Sequence, residues 1–154
     1  MIKTIESLLK EHPFFKGIAP RYLKTIVGCA ANVRFDAGRF IFHEGEEAKK
    51  FYIIRKGRVA LEISAVGHGI ITIQTLGEGE VLGWSWLFPP YRWFSNARVI
   101  EPTIAIVLDG KCLRKKCEDD YNLGYDLMKR FVQIVIQRLQ ATRLQLLDIY
   151  GTVH

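Results

Sequence analysis

The residues that could recognise a small molecule are concentrated between positions 79 and 98, in the stretch GEVLGWSWLFPPYRWFSNAR. This stretch contains all three tryptophans of the chain, in a segment of ten residues from Trp84 to Trp93. Two consecutive prolines stiffen it, because the proline ring fixes φ. Aromatic rings stack on planar ligands or fill a core, and glycine allows close approach of the backbone to a ligand. The stretch is therefore interpreted as a binding loop whose aromatic side chains either line a ligand pocket or fill it.

The histidines and cysteines do not form a catalytic or metal-binding pattern. The four histidines contain no His-x-His pair, and His43 beside Glu44 is the only fragment of a metal site. The chain has three cysteines, Cys29, Cys112 and Cys117. Because this count is odd and the chain is large enough to fold without disulfide bonds, we expect reduced thiols. The sequence predicts a non-enzymatic protein with no metal and no cofactor.

Length, charge and hydrophobicity favour a single soluble domain. The chain has 154 residues, 49% of them hydrophobic, and a formal net charge of +6. The excess of basic residues is spread along the chain, so no segment has the cluster of basic residues that is typical of nucleic-acid binding. The first residues lack the apolar core of a signal peptide, and no apolar run approaches the roughly 18 residues that would span a membrane. We expect a cytoplasmic protein that does not contact membranes.

Local patterns divide this one domain into three parts. Residues 1–30 show helical apolar spacing interrupted by prolines, which predicts N-terminal helices. In residues 31–108, short runs of Val, Ile, Phe and Tyr alternate with turns that contain glycine. This pattern is typical of a β-sandwich or barrel. Within them, YIIRKGRVAL reads as a tight hairpin around Gly57. Residues 109–154 are rich in helix formers.

The last predicted helix carries an apolar stripe typical of a coiled-coil seam. Its members step alternately by four and three residues: Met128, Val132, Val135, Leu139, Thr142, Leu146 and Ile149. A second face, with Leu127, Phe131 and Ile134, would pack on the barrel. The simplest interpretation is a parallel homodimer through this helix, and the alternative is a helix buried on both faces within one chain.

The order of these parts resembles the cyclic nucleotide-binding domain of the catabolite activator and protein kinase A regulatory class. LLKEHPFFKGIAPRYLKTI is similar to the family's opening helices, and FDAGRFIFHEGEEAKKFYIIRKGRVALEI carries its turn glycines. LGEGEVLG resembles the approach to the family's phosphate-binding cassette, here residues 79–98, and IQRLQATRLQLLDI resembles its dimer helix. The resemblance implies a mainly β fold with flanking helices: a double-stranded β-helix, or jelly-roll, barrel with N-terminal helices and a long C-terminal dimerisation helix.

The resemblance also identifies two departures at the implied site. Where the family has Phe-Gly-Glu, whose Glu binds the ribose hydroxyl, this chain has Leu82, Gly83 and Trp84. Where the family has Arg-Ser/Thr-Ala, whose Arg neutralises the cyclic phosphate, this chain has Ser95-Asn96-Ala97. Losing an arginine partner costs roughly 2–5 kcal/mol and losing a charged hydrogen bond about 1.5–3 kcal/mol. Even a sum of roughly 4 kcal/mol lowers affinity about a thousandfold, so cyclic AMP binding in the family's usual way is not expected.

Several residues are candidates for a ligand site that has changed in this way. Ser85 could cap a short cassette helix, Arg92 could replace the missing arginine, and Thr142 matches a position that reaches the base in bacterial regulators. Arg143 stands where those regulators have a small hydroxyl residue. The full predicted set is Leu82, Gly83, Trp84, Ser85, Trp86, Arg92, Ser95, Asn96, Ala97, Thr142 and Arg143.

Two functions remain open from the sequence. The first is a sensor of a small molecule, nucleotide-like or another anion, that signals through a partner protein. The second is the same fold with tryptophan filling the pocket, acting as a protein-interaction module. Direct DNA binding is not expected, because a helix-turn-helix would have to follow the seam helix and only five residues follow Ile149.

Overall fold

A computed structural model describes residues 4–151; residues 1–3 and 152–154, the ends of the predicted helical segments, lie outside the described residues. The chain begins with helix α1 (Ile5–Glu11), a 3-10 turn (Pro13–Phe15) and helix α2 (Pro20–Val27). Thr4 caps α1 by accepting a hydrogen bond from the backbone N–H of Ser7, and Pro20 opens α2, where a missing N–H costs nothing. Prolines therefore set the breaks between these short helices.

Six antiparallel strands follow, and two of them carry most of the sheet. The strands are β1 (Ala30–Phe35), β2 (Phe40–Phe42), β3 (Lys50–Ala65), β4 (Gly69–Gly77), β5 (Val81–Leu82) and β6 (Asn96–Asp109). The sheet order is β1-β6-β3-β4, with β2 on β6 and β5 on β3. The mainly β fold with flanking helices is as predicted. Six strands are assigned in the described chain, and β3 and β6 run on as long strands.

Strand β3 also corrects the predicted hairpin at Gly57. The strand continues through this residue, and its pairing with β6 shifts register between Ile54 and Val59. Gly57 has a φ of 119°, and a Cβ there would overlap Thr103 of β6. The glycine is therefore needed for a bulge with close strand approach, not for a turn.

Because of the bulge, strand β3 contributes side chains to two hydrophobic cores. Before it, Phe51 and Ile53 pack in a core shared with the helices, while Tyr52 and Ile54 point into the barrel. After it, an odd-numbered residue, Val59, faces the barrel interior. Register shifts change which face a residue occupies, so the bulge allows one strand to line both cores.

The C-terminal part contains helix α3 (Gly110–Asp119) and the long helix α4 (Tyr121–Gly151). The predicted barrel-facing side of α4 is confirmed, since Leu127 and Phe131 are each 1% exposed. The seam residues are exposed in this single chain, as are all described residues from position 139 to 150. An intramolecular burial of both helix faces is therefore wrong for this chain.

The prediction of reduced cysteines is wrong for two of the three. Cys29, at the start of the strands, forms a disulfide with Cys112 of α3, across 83 residues of sequence, and Cys117 is free. The Cα atoms of the pair are 5.8 Å apart, within the usual range for a bridge. An odd cysteine count does not reveal such a pair, because the fold rather than the spacing brings the two together.

A buried histidine joins the N-terminal helices to the barrel. His12 is 6% exposed, its Nδ1 accepts from the N–H of Phe14, and its Nε2 lies 3.2 Å from the carbonyl oxygen of Ile54. These two bonds require the neutral ring with its proton on Nε2. Burial lowers the pKa of His12 to about 4.

This depressed pKa predicts a loss of stability on acidification. The unfolded ring titrates near its ordinary value of 6.5 and the folded ring near 4, so the unfolded state binds more protons between these values. The free energy of unfolding should therefore fall as pH drops from 6.5 to 4, by up to about 3 kcal/mol from this group. Urea unfolding at a series of pH values measures the fall. The variant His12→Gln should lose this part of the pH dependence, and an unchanged profile would contradict it.

Candidate functional site

A cavity of about 320 Å³ lies between the cassette loop and helix α4. This volume falls in the range of small-molecule sites. Three parts of the chain form its walls: the barrel strands, the loop from β5 to β6, and one side of α4. The lining residues are Phe42, Leu61, Ile73, Gln74, Leu82, Gly83, Trp84, Ser85, Trp93, Phe94, Ser95, Val135, Arg138, Leu139 and Thr142.

The floor of the cavity is a stacked aromatic pair under a glycine. Trp93 and Phe42 lie parallel, with ring centroids 3.8 Å apart and planes 6° apart. Gly83 has a φ of 96°, and a Cβ at this position would overlap the Trp93 ring. A glycine is therefore required both by the backbone conformation and by the ring beneath it.

The other two tryptophans have different roles. Trp86 is fully buried on the helix side of the barrel, against Phe51 and Phe131. Trp84 is half-buried and lines the cavity. The crowded loop thus contains one tryptophan that anchors it to the core, one that forms the cavity floor and one that forms a wall.

The cassette backbone differs from the short helix that Ser85 was expected to cap. Residues 85–87 form a single turn, closed by a hydrogen bond from the N–H of Leu87 to the carbonyl of Trp84 at 3.0 Å. The loop then passes through Pro89 and Pro90, joined by a cis peptide bond. The capping role predicted for Ser85 is therefore wrong, although Ser85 does line the cavity.

The cavity brings together about half of the residues predicted from sequence. Those that line it are Leu82, Gly83, Trp84, Ser85, Ser95 and Thr142. Among the others, Asn96 accepts a hydrogen bond from the N–H of Glu44 through its Oδ1, and Ala97 is buried in strand β6. Trp86 lies in the core, and Arg143 is exposed on α4.

Two arginines near the cassette are engaged elsewhere. Arg92 is not among the lining residues, and its guanidinium donates to the carbonyl of Gly45 at 3.4 Å. Arg98 follows the Ser-Asn-Ala segment directly, but it makes two hydrogen bonds to the buried carboxylate of Glu62, at 3.0 and 2.9 Å. This pairing raises the pKa of Arg98. Neither guanidinium is placed in the cavity.

Arg138 of α4 is the charged cavity residue that sequence reasoning missed, and the uncharged lining residues Phe42, Leu61, Ile73, Gln74, Trp93 and Phe94 were also outside the predicted set. Its guanidinium donates to the carbonyl of Val81 at 2.7 Å and lies 4.6 Å from the centroid of the Trp84 ring. Burial lowers its pKa to about 10, and Glu80 opposes that shift. The signal was present in the helix pattern: Arg138 follows Ile134 by four residues, on the barrel-facing side where a solvated arginine would not be expected.

Within residues 4–151, no group of three or more His, Cys, Asp and Glu side chains could hold a metal ion. In the same part of the chain, no helix is long and apolar enough to cross a membrane.

The environment of Trp86 predicts how its variants behave. Its indole Nε1 is buried without a hydrogen-bond partner among the described residues, so Trp86→Phe loses packing and no hydrogen bond. We expect that variant to lose about 1–2 kcal/mol of unfolding free energy and Trp86→Ala about 3–5 kcal/mol. Trp84→Phe, at the half-buried wall, is the matched control and should lose less than Trp86→Phe. Urea unfolding measures all three, and equal losses for the two Trp86 variants would contradict the assignment.

Known proteins resemble this chain in both sequence and fold. The model of the cyclic nucleotide-binding domain matches residues 32–120. A CRP-like cAMP-activated global transcriptional regulator of Mycobacterium tuberculosis is 24% identical over 148 residues, which are 96% of this chain and 64% of that protein. The chain therefore spans less than two thirds of this relative's length.

Solved structures agree with the family match. One from Geobacter metallireducens, of a protein assigned to cyclic nucleotide binding, has a TM-score of 0.80 and 28% identity, covering 89% of this chain and 99% of that one. The Thermus thermophilus catabolite activator protein has a TM-score of 0.70 and 23% identity, covering 90% of this chain and 63% of that one. Since the family model covers more than half of the sequence and the fold agrees, this chain belongs to the cyclic nucleotide-binding domain family.

Proposed function

We propose that this chain is a non-enzymatic sensor module whose small-molecule ligand binds in the cavity between the cassette loop and α4. The observation that carries the proposal is the cavity itself, which is open and is walled by both the cassette and the helix. A ligand there would contact both Trp84 and Thr142. Its arrival would change the packing of α4 on the barrel, which is how a binding event becomes a signal.

The same cavity argues against cyclic AMP bound in the family's usual way. The cassette positions of the family's Glu and Arg are Trp84 and Ser95 here, and both line the cavity without supplying a charge. Arg98, one strand position away from Ala97, is held by Glu62. A cyclic phosphate in the cassette would therefore lack its neutralising partner, at a cost of roughly 2–5 kcal/mol.

Helix α4 also supports a proposed homodimer. Val135, Leu139 and Thr142 belong to the predicted seam and line the cavity as well. Met128 and Val132 continue the exposed stripe toward the start of the helix. A second copy of the chain packed along this stripe would cover it, and the ligand and the dimer would then share one helix wall. We propose that the signal passes through this helix to a partner protein, without direct DNA binding by the module.

A second candidate function is an interaction module whose pocket is permanently filled. The observation that favours it is the stacked pair of Trp93 and Phe42, which already occupies the barrel interior below Gly83. In that case the helix surface would be the functional part, and no small molecule would stabilise the fold.

A thermal-shift screen separates the two candidates. Purified protein is tested against cyclic AMP, cyclic GMP, linear and cyclic dinucleotides and small aromatic acids. A ligand that binds only the folded state adds about 2.7 kcal/mol at a hundred times its Kd, so we expect a clear shift with a compound other than cyclic AMP. The variant Thr142→Trp, which places a large ring at the cavity wall, should abolish that shift. A shift of the melting temperature with micromolar cyclic AMP would contradict the proposed site. No shift with any compound would favour the filled pocket.

The dimer is tested separately by sedimentation equilibrium. Replacing Val132 on the exposed stripe by Glu places a charge in the proposed seam, and we expect the variant to sediment as a monomer where the native chain sediments as a dimer. Gln133→Glu, at the neighbouring exposed position off the stripe, is the matched control and should leave the dimer intact. A monomeric native chain would contradict the proposal.

A further inference from the structure

We infer that the ligand is a planar aromatic molecule with one anionic group, carboxylate or phosphate, and that this group binds Arg138 of α4 instead of an arginine of the cassette. The inference rests on the proposed function, because it assigns the chemistry of the ligand in the same cavity. It reverses the family's implied arrangement: the acid lies toward the helix and the ring toward the cassette loop.

The first argument is the charge of the cavity. Of the described residues that line it, Arg138 is the only one with a formal charge; the others are apolar, aromatic or uncharged polar. A single cation in a mainly apolar cavity attracts an anion strongly, because few water molecules compete with it. No lining carboxylate is available to neutralise it.

The second argument is the unused hydrogen-bonding capacity of Arg138. A guanidinium carries five N–H donors, and the carbonyl of Val81 is the only hydrogen-bond acceptor identified for Arg138 among the described residues. No carboxylate of that part of the chain lies within ion-pair distance of it, although buried charges are normally paired. Its pKa of about 10 keeps it charged at neutral pH. A bound carboxylate or phosphate would supply the missing partner in bidentate geometry.

The surroundings of Arg138 on its other side do not satisfy it. There it borders a second cavity, of about 440 Å³, which also contains Glu80, Lys16 and Arg130. Glu80 acts on Arg138 from a distance and accepts from the N–H of Gly77. Arg130 donates to the carbonyls of Phe14 and Lys16 and pairs with Asp126. Of these two arginines, Arg138 is thus the one without an ion-pair partner among the described residues.

The third argument is the set of aromatic side chains that line the same cavity as Arg138. Trp84 and Trp93 line the cavity, and Phe94 lines it while 69% exposed. Aromatic side chains bind flat rings through offset or edge contacts, and an exposed Phe94 gains burial when a ring covers it. Trp84 already stacks against Arg138, so the acid and the ring of one small molecule would meet adjacent groups.

The test compares an aromatic acid with its neutral amide. The probes are 2-naphthoate, 2-naphthyl phosphate and 2-naphthamide, titrated by calorimetry up to about 10 mM, the range of very weak affinity. The native protein should bind at least one of the two anions and bind it more than tenfold tighter than the amide. Whichever anion binds more tightly identifies the acid as carboxylate or phosphate.

Variants then locate the anion. Arg138→Gln keeps an N–H donor for the Val81 carbonyl and should weaken anion binding at least tenfold, with little change for the amide. Arg138→Lys keeps the charge and should recover part of the affinity. Lys129→Gln, an exposed position on the same helix, removes one positive charge as the matched control and should bind like the native protein. Urea unfolding of Arg138→Gln confirms that the variant is folded.

The outcomes distinguish this inference from the proposed function. Equal binding of acid and amide, or loss of acid binding in Arg92→Gln instead of Arg138→Gln, overturns the inference. Absence of anion binding to the native protein overturns it as well. The proposed function survives each of these results if a compound from the thermal-shift screen still loses its effect in Thr142→Trp, and it fails if that variant responds like the native chain.

Discussion

The packing of Arg138 between strand β5 and Trp84 is the interaction on which the candidate site depends. Its guanidinium bonds to the Val81 carbonyl at 2.7 Å and lies over the Trp84 ring at 4.6 Å. These two contacts hold the middle of α4 against the cassette side of the barrel. A partly buried charge without an ion-pair partner is costly, and these two contacts offset part of that cost.

In the proposed function, sharing one helix between the cavity and the exposed stripe would give the molecule a physical route from binding to signal. Leu127 and Phe131 fix the first half of α4 in the core, whereas Val135, Leu139 and Thr142 face the cavity and remain exposed. A ligand that contacts the second half would bias its position without disturbing the first. A ligand that contacts only the second half of the helix would supply the differential contacts that a population shift requires.

Sequence reasoning predicted the fold because its main signals were local and repeated. Prolines, turn glycines and helical spacing each have a direct backbone meaning, and the solved structure from Geobacter metallireducens has the same fold. Apart from the local turn at Ser85, the main failures involve contacts between distant segments. The pattern around Gly57 predicts a turn, because nothing in it indicates that Thr103 of β6 lies against this glycine. In the same way, Cys29 and Cys112 come together only in the folded chain. The role of Arg138 likewise depends on its contacts with Val81 and Trp84, which lie far from it in the sequence.

The central claim is that a ligand occupies the cavity between the cassette loop and α4, and the three tryptophans report on it directly. A spectrum of the ¹⁵N-labelled protein contains one indole signal for each tryptophan, assigned with Trp→Phe variants. During titration with the compound that gives the largest shift in the thermal screen, the signals of Trp84 and Trp93 should move, because both rings line the cavity, while that of Trp86 in the core should stay in place. Movement of Trp86 alone, or of none of the three, would contradict the account.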